Sequence, residues 1–107
     1  MMNIKVILNN KEQIKEIKID GHVNYDISGR DIVCASASTL LISSINHILS
    51  LDRESILYND NGKVVTIKVL KNNENSLKIL NNMVEMFQQL CDSYSNYIRI
   101  EKIFDKK

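Results

Sequence analysis

The fold is decided in one stretch, Asp20-Gly-His-Val-Asn-Tyr-Asp-Ile-Ser-Gly-Arg-Asp-Ile-Val-Cys-Ala-Ser-Ala-Ser38. Residues 13–20, which run into it, place isoleucines between charged side chains and are predicted to form a strand. Residues 34–50, which run out of it, are predicted to form a helix because their apolar side chains recur at helical spacing. Residues 21–30 lie between them and are predicted to form a polar loop.

The helix after the loop is predicted to begin at Asp31, a residue type that favours the N-cap, which places Cys34 at the third helical position. Small side chains at residues 35–38 would let this part of the helix approach a neighbouring element closely. The apolar face of the helix comprises Val33, Ala37, Leu41, Ile45, Ile48 and Leu49. This face is expected to point into the core.

The rest of the chain supplies four more strands and a second helix. The strands are predicted at residues 3–9, 54–59, 63–70 and 97–103, and the second helix carries Leu77, Leu80, Val84, Phe87 and Cys91 on one face. Asn9-Asn10 and Asn61-Gly62 supply turn residues, because Asn and Gly tolerate left-handed dihedrals. The order β-β-α-β-β-α-β, with a mainly antiparallel sheet, predicts an α+β fold, a two-layer sandwich.

Length, charge and hydropathy exclude several classes of protein. A chain of 107 residues predicts one domain, spanning residues 1–107. The net charge of +1 comes from interspersed charges, without the basic stripe that direct binding to nucleic acid requires. No apolar run is expected to approach the ~20 residues that span a bilayer, and no signal-peptide pattern opens the chain. We therefore expect a cytoplasmic protein without a membrane partner.

Two cysteines and a histidine carry the chemistry that the sequence suggests. Cys34 and Cys91 lack a CxxC spacing, so no metal or other cofactor is expected, and in the cytosol both should be reduced. His22 and Cys34 flank the loop, and an imidazole beside a thiol is a layout that nucleophilic cysteine chemistry can use. On spacing alone, a small buried cysteine at a helix start and an ordinary loop histidine are the favoured interpretation.

The motif resembles that of the Prp family of ribosomal-processing cysteine proteases. Gly21-His22, eleven intervening residues and then Cys34 within Asp31-Ile-Val-Cys-Ala-Ser-Ala-Ser38 correspond to its Gly-His-Ala, variable loop and Asp-Ile-Val-Cys-Ala-Ala-Val-Ser. The layout of the remaining chain agrees, including Tyr97-Ile98-Arg99 near the end. The departures remove no reactive group; they are at Val23, Ser36, Ala37 and Ser95.

The resemblance implies a function and a mechanism. It implies a bacterial, cytoplasmic endopeptidase that acts as a homodimer and removes the N-terminal extension of protein 27 of the large ribosomal subunit. It implies Cys34 as the nucleophile and His22 as the acid/base. A position in the first helical turn and a protonated His22 would favour the thiolate, and backbone amides near Cys34 would stabilise the oxyanion.

The supporting residues keep two interpretations each. Asp31 either caps the helix or orients the His22 ring. Ser38, one turn after Cys34, either donates a hydrogen bond near the sulfur or is simply a small packing residue. Gly21 and Gly29 are either hinges of a loop that closes over a peptide or residues required by positive-φ turns.

A second class of function competes with the protease. A non-enzymatic dimeric module could bind a ribosomal protein or an assembly factor by adding a strand to the sheet edge. An RNA-binding factor is disfavoured by the near-neutral charge and by an aromatic content of only 6%. Elsewhere, Cys91 is expected in the core and His47 on the surface.

Overall fold

The structure is a computed structural model. It describes residues 1–21 and 28–105, with the backbone alone for residues 28–31. The elements are β1 (Met2–Leu8), β2 (Ile14–Asp20), α1 (Ser28–Leu51), β3 (Ile56–Asp60), β4 (Val64–Val69), α2 (Glu74–Ser93) and β5 (Ile98–Phe104). Their order confirms the predicted β-β-α-β-β-α-β sequence of elements.

The five strands form one mixed sheet in the order β3-β4-β2-β1-β5. Three of its four neighbouring pairs are antiparallel, and the pair of β1 and β5 is parallel, with Met2 opposite Ile98 and Leu8 opposite Phe104. A parallel pair needs a crossover connection rather than a tight turn, and the chain between these strands includes both helices. The predicted α+β class is confirmed.

The core lies between the sheet and the two helices. One side of β1 is buried along its whole length through Met2, Ile4, Val6 and Leu8, which is the period-two pattern of a strand with one covered face. The helices contribute Val33, Cys34, Ala37, Leu41, Ile45, Ile48, Leu80, Met83, Val84 and Phe87. The apolar faces predicted for both helices are therefore confirmed, although Leu77 is only half-buried and Met83 is fully buried.

The two β-hairpins close through different devices. In the first, the Asn9 Oδ1 accepts hydrogen bonds from the backbone N–H groups of Lys11 and Gln13, and the positive φ falls on Glu12 rather than on an asparagine. In the second, Gly62 has φ +88°, as its Asn-Gly turn predicts.

Helix α1 begins at Ser28, three residues before its predicted start at Asp31. Because it runs from Ser28, Asp31 lies inside the helix and the N-cap interpretation of Asp31 is wrong. Gly29 is likewise the second residue of α1 and not the end of the loop. Glycine costs about 1 kcal/mol in a helix relative to alanine, so local propensity argued against a helix across Gly29. The packing of the long helix outweighs that cost.

Helix α1 also corrects the expectation that no run is long enough to span a membrane. The 20 residues Ile32–Leu51 are long and apolar enough, by length and composition alone, to do so. The same composition is found in core helices, and α1 contributes residues from Val33 to Ile48 to the core. Only 33% of the apolar window within Ile32–Leu51 is buried, however, so much of this part of the helix, which lacks Asp, Glu, Lys and Arg, faces outward.

Candidate active site

Cys34 is the seventh residue of α1 and is 3% exposed. It belongs to the buried core cluster together with its neighbours Val33 and Ala37. The long apolar face of α1 therefore fixes the position of the thiol. If Cys34 is the nucleophile, a substrate carbonyl must reach this buried sulfur.

The position of Cys34 in the second helical turn changes the electrostatic argument. The unpaired N–H groups of a helix and most of the effect of its dipole belong to the first turn. The N–H of a seventh residue instead bonds to a carbonyl four residues earlier. Cys34 therefore does not stand in the first turn, where the sequence predicted it. Which backbone amides would stabilise the oxyanion stays a prediction.

Gly21 marks the end of the strand that leads to His22. Its φ is +76°, and a Cβ added to it would collide with the carbonyl oxygen of Met1. Both observations favour the interpretation that Gly21 is required by its backbone conformation. Close packing against Met1 is the opposite of what a hinge at Gly21 would need.

Ser38 is partly exposed and lies one turn after Cys34 on α1. It lines a narrow crevice to which four elements contribute, together with Met2, Ile19, Ala37, Leu41 and Phe87. Ile19 stands on β2 two residues before Gly21. The crevice therefore joins the strand that enters the motif to the helix that leaves it, and the two ends of the motif lie close together in the fold.

His22 lies outside the described residues, as does the side chain of Asp31. The distance from His22 to Cys34 and the orientation of Asp31 consequently stay predictions. What the structure describes is the end of β2 at Asp20, followed by Gly21, the turn of α1 that carries Cys34, and Ser38 one turn further.

The other thiol and the other histidine lie elsewhere. Cys91 on α2 is half-buried, and its Sγ donates a hydrogen bond to the carbonyl oxygen of Ile98 at 3.3 Å. His47 is exposed on α1, as predicted. Among residues 1–21 and 28–105, no three His, Cys, Asp or Glu side chains are grouped as metal ligands would be.

A nucleophile residue type on a core helix, next to the strand that leads into a histidine, defines a candidate cysteine hydrolase. Comparison with known proteins gives the family. The model of the family described as cysteine protease Prp matches residues 1–99. The chain belongs to this family and is a cysteine protease. The competing class, a non-enzymatic binding module, is wrong.

Individual relatives agree over nearly the whole chain. The ribosomal processing cysteine protease Prp of Staphylococcus aureus (strain Mu50) is 34% identical over 103 residues, which cover 94% of this chain and 97% of that protein. A crystal structure of an essential ribosomal processing protease Prp from S. aureus in complex with a substrate peptide has a TM-score of 0.87 at 30% identity, covering 95% and 99% of the two chains. A second, with a covalently linked product peptide, has a TM-score of 0.82 at 32% identity and the same coverage.

Proposed function

We propose that this protease removes the N-terminal extension of protein 27 of the large ribosomal subunit. The observation that carries the proposal is the 34% identity, over 94% of the chain, to a relative named for ribosomal processing. Solved relatives with a substrate peptide and with a covalently linked product peptide support a peptide as the substrate and a covalent step. The proposed substrate itself comes from the likeness of the motif to the Prp pattern.

In the proposed mechanism, the Cys34 thiolate attacks the scissile carbonyl carbon and forms a tetrahedral intermediate. Collapse of the intermediate breaks the C–N bond, and the protonated His22 gives its proton to the leaving amine. Neutral His22 then takes a proton from the water molecule that attacks the thioester. Cleavage of the C–S bond releases the carboxyl product and restores the Cys34 thiolate beside protonated His22. With its capping role excluded, Asp31 is proposed to orient His22.

The thiolate in this mechanism needs support that the position of Cys34 in α1 does not supply. Burial in apolar surroundings disfavours the charged form of a thiol, and the second helical turn gains little from the dipole. We therefore assign most of the activation to the protonated His22 ring. Ser38 is proposed to stand within reach of the sulfur from one turn further along α1.

The experiment is cleavage of a synthetic peptide, followed by mass spectrometry. The peptide contains the N-terminal extension of protein 27 from the organism that encodes this chain. The wild type and Cys91→Ala should cut one bond at equal rates, and Cys34→Ala should cut none, because Cys91 lies on the other helix, α2, and bonds to Ile98 of β5. Cleavage of unrelated peptides alone would exclude the proposed substrate, and cleavage by Cys34→Ala would exclude the nucleophile.

We also propose that the protein acts as a homodimer through the outward face of α1. Ile32 and Ile42 are 53% and 46% exposed there, and no charged side chain occurs between Ile32 and Leu51. Beside this face, a shallow groove runs between α1 and α2, with Leu40 on one wall and the 41% exposed Met86 on the other. A two-fold axis brings equivalent residues of the two chains together, so a face without charged side chains avoids like-charge repulsion at the interface.

The cytoplasm is the proposed compartment. No disulfide joins the two cysteines, which is usual for a protein in a reducing environment. Fractionation of cells that express the protein should recover it with cytoplasmic markers. Recovery with the membrane fraction would contradict this proposal and would give the apolar composition of α1 a different meaning.

A further inference from the structure

Two polar side chains meet across β1 and β2 where the strand β2 ends. Asn3 and Asp20 are opposite each other in the antiparallel register, and the Asn3 Nδ2 donates a hydrogen bond to the Asp20 Oδ1 at 3.2 Å. The same Nδ2 lies 3.4 Å from the carbonyl oxygen of Met1, to which it also donates. Asn3 thus ties the end of β2 to the residue that precedes β1.

The next residue of the chain is held from the same side. Gly21 packs so closely against the Met1 carbonyl that no Cβ fits between them. Met1 is in turn fixed by its neighbour, because the Met2 N–H donates a hydrogen bond to the Tyr97 carbonyl oxygen at 2.9 Å. The end of β2 is therefore braced through β1 to the strand β5.

This brace lies at the last paired position of β2. Asp20 is opposite both Asn3 on β1 and Val64 on β4, and it is the final residue of the strand. Past a strand end, the direction of the chain depends on side-chain and packing contacts rather than on ladder hydrogen bonds. Here Asn3 contacts Asp20, and the Met1 carbonyl packs against Gly21. Asp20 and Gly21 are the two residues that precede His22 in the sequence.

We propose that Asn3 and Asp20 are positioning residues that fix where the chain leaves the sheet towards His22. The inference rests on the proposed acid/base role of His22. A general acid works only within hydrogen-bond reach of the atom that it protonates, so a displaced exit from β2 lowers the rate of the chemical step. The pair acts through its hydrogen bond, with Asp20 as acceptor.

The test compares kcat and KM for cleavage of the same peptide. Asp20→Ala and Asn3→Ala should each lower kcat about ten-fold and leave KM within about two-fold, since displacement of a catalytic group affects the reacting geometry most. Asp20→Asn keeps an Oδ1 acceptor for Asn3 and should retain kcat within about two-fold of the wild type. The double variant Asn3→Ala/Asp20→Ala should be no slower than Asn3→Ala, because Asn3→Ala already removes the hydrogen bond to Asp20.

Asp60→Ala is the matched control. Asp60 is also the last residue of its strand, and its Oδ1 also accepts one hydrogen bond, from the Gly62 N–H at 2.9 Å. It lies on the edge strand β3, separated from β2 by β4. Its loss should leave kcat unchanged.

The proposal would be overturned by Asp20→Ala with wild-type kcat at a temperature at which it is folded, or by Asp20→Asn as slow as Asp20→Ala. Failure of the acid/base assignment has a different signature. His22→Ala would then retain kcat, whatever the Asn3 and Asp20 variants do.

Discussion

Position 21 requires glycine for two reasons, a positive φ and a lack of space for a Cβ. A comparison with Gly62 separates the two. Both residues have a positive φ, +76° and +88°, but only Gly21 has a backbone atom where a Cβ would stand. A positive φ costs an L-residue roughly 1–2 kcal/mol, and forced overpacking adds about 1–3 kcal/mol. The requirement for glycine is therefore stronger at Gly21.

We predict that Gly21→Ala lowers the free energy of unfolding by about 3 kcal/mol and Gly62→Ala by about 1 kcal/mol. Urea denaturation followed by circular dichroism measures both values. Equal losses in the two variants would show that the Met1 carbonyl moves aside easily, and that the end of β2 is less firmly held than its contacts indicate.

Single residues also show what the sequence could and could not predict. Cys34 could be singled out because its motif, with Asp31 and Ser38, resembles a known one. Its place in the second turn of α1 could not be predicted, because Gly29 argues locally for a later helix start. The contact of Asn3 with Asp20 was missed for another reason: it depends on the register of β1 and β2, which is a property of the sheet.

At the scale of elements, α2 and the connection after α1 each bury a serine completely. The Ser55 hydroxyl donates a hydrogen bond to the Asp52 carbonyl oxygen at 2.7 Å. The Ser76 hydroxyl, near the start of α2, finds no hydrogen-bond partner among the residues that the structure describes. An unsatisfied buried hydroxyl carries a desolvation penalty, whereas a bonded one contributes stability.

These two serines should therefore respond oppositely to alanine. We predict that Ser55→Ala lowers the free energy of unfolding by about 1 kcal/mol, and that Ser76→Ala leaves it unchanged or raises it by up to about 1 kcal/mol. Chemical denaturation of the two variants gives the comparison. A loss at Ser76 as large as that at Ser55 would mean that the Ser76 hydroxyl is bonded in solution.

The existence and order of all seven elements were predictable because their hydrophobic periods are clear. Strand β1 buries every second residue, and both helices bury one face. In the structure, the Asn73 side chain caps α2 by accepting hydrogen bonds from the N–H groups of Asn75 and Ser76. The start of α1 was not predictable in this way, because packing of the whole helix decides it.

At the scale of the whole molecule, the arrangement of the strands was the part beyond prediction. The last strand, β5, pairs in parallel with the first, β1, and this pairing joins residues almost a chain length apart. Periodicity in the sequence describes each strand's own faces and does not specify its partners. The same holds for the brace at Asp20, which depends on β1 lying between β2 and β5.

The proposed dimer is tested by a substitution on the outward face of α1. In sedimentation velocity, we predict the mass of two chains for the wild type and of one chain for Ile42→Glu, because two opposed carboxylates would be buried near the axis. Leu57→Glu is the control, since Leu57 on β3 is 53% exposed and lies on another surface. A single-chain wild type, or dissociation by Leu57→Glu alone, would contradict the assignment.

The central claim is that the buried thiol of Cys34 attacks the substrate. The most direct measurement treats the enzyme with the substrate peptide carrying a chloromethyl ketone at the scissile position and locates the adduct by mass spectrometry. We predict one adduct per chain, on Cys34, in the wild type and in Cys91→Ala, and none in Cys34→Ala. An adduct on Cys91, or peptide cleavage by a variant that lacks Cys34, would contradict the account.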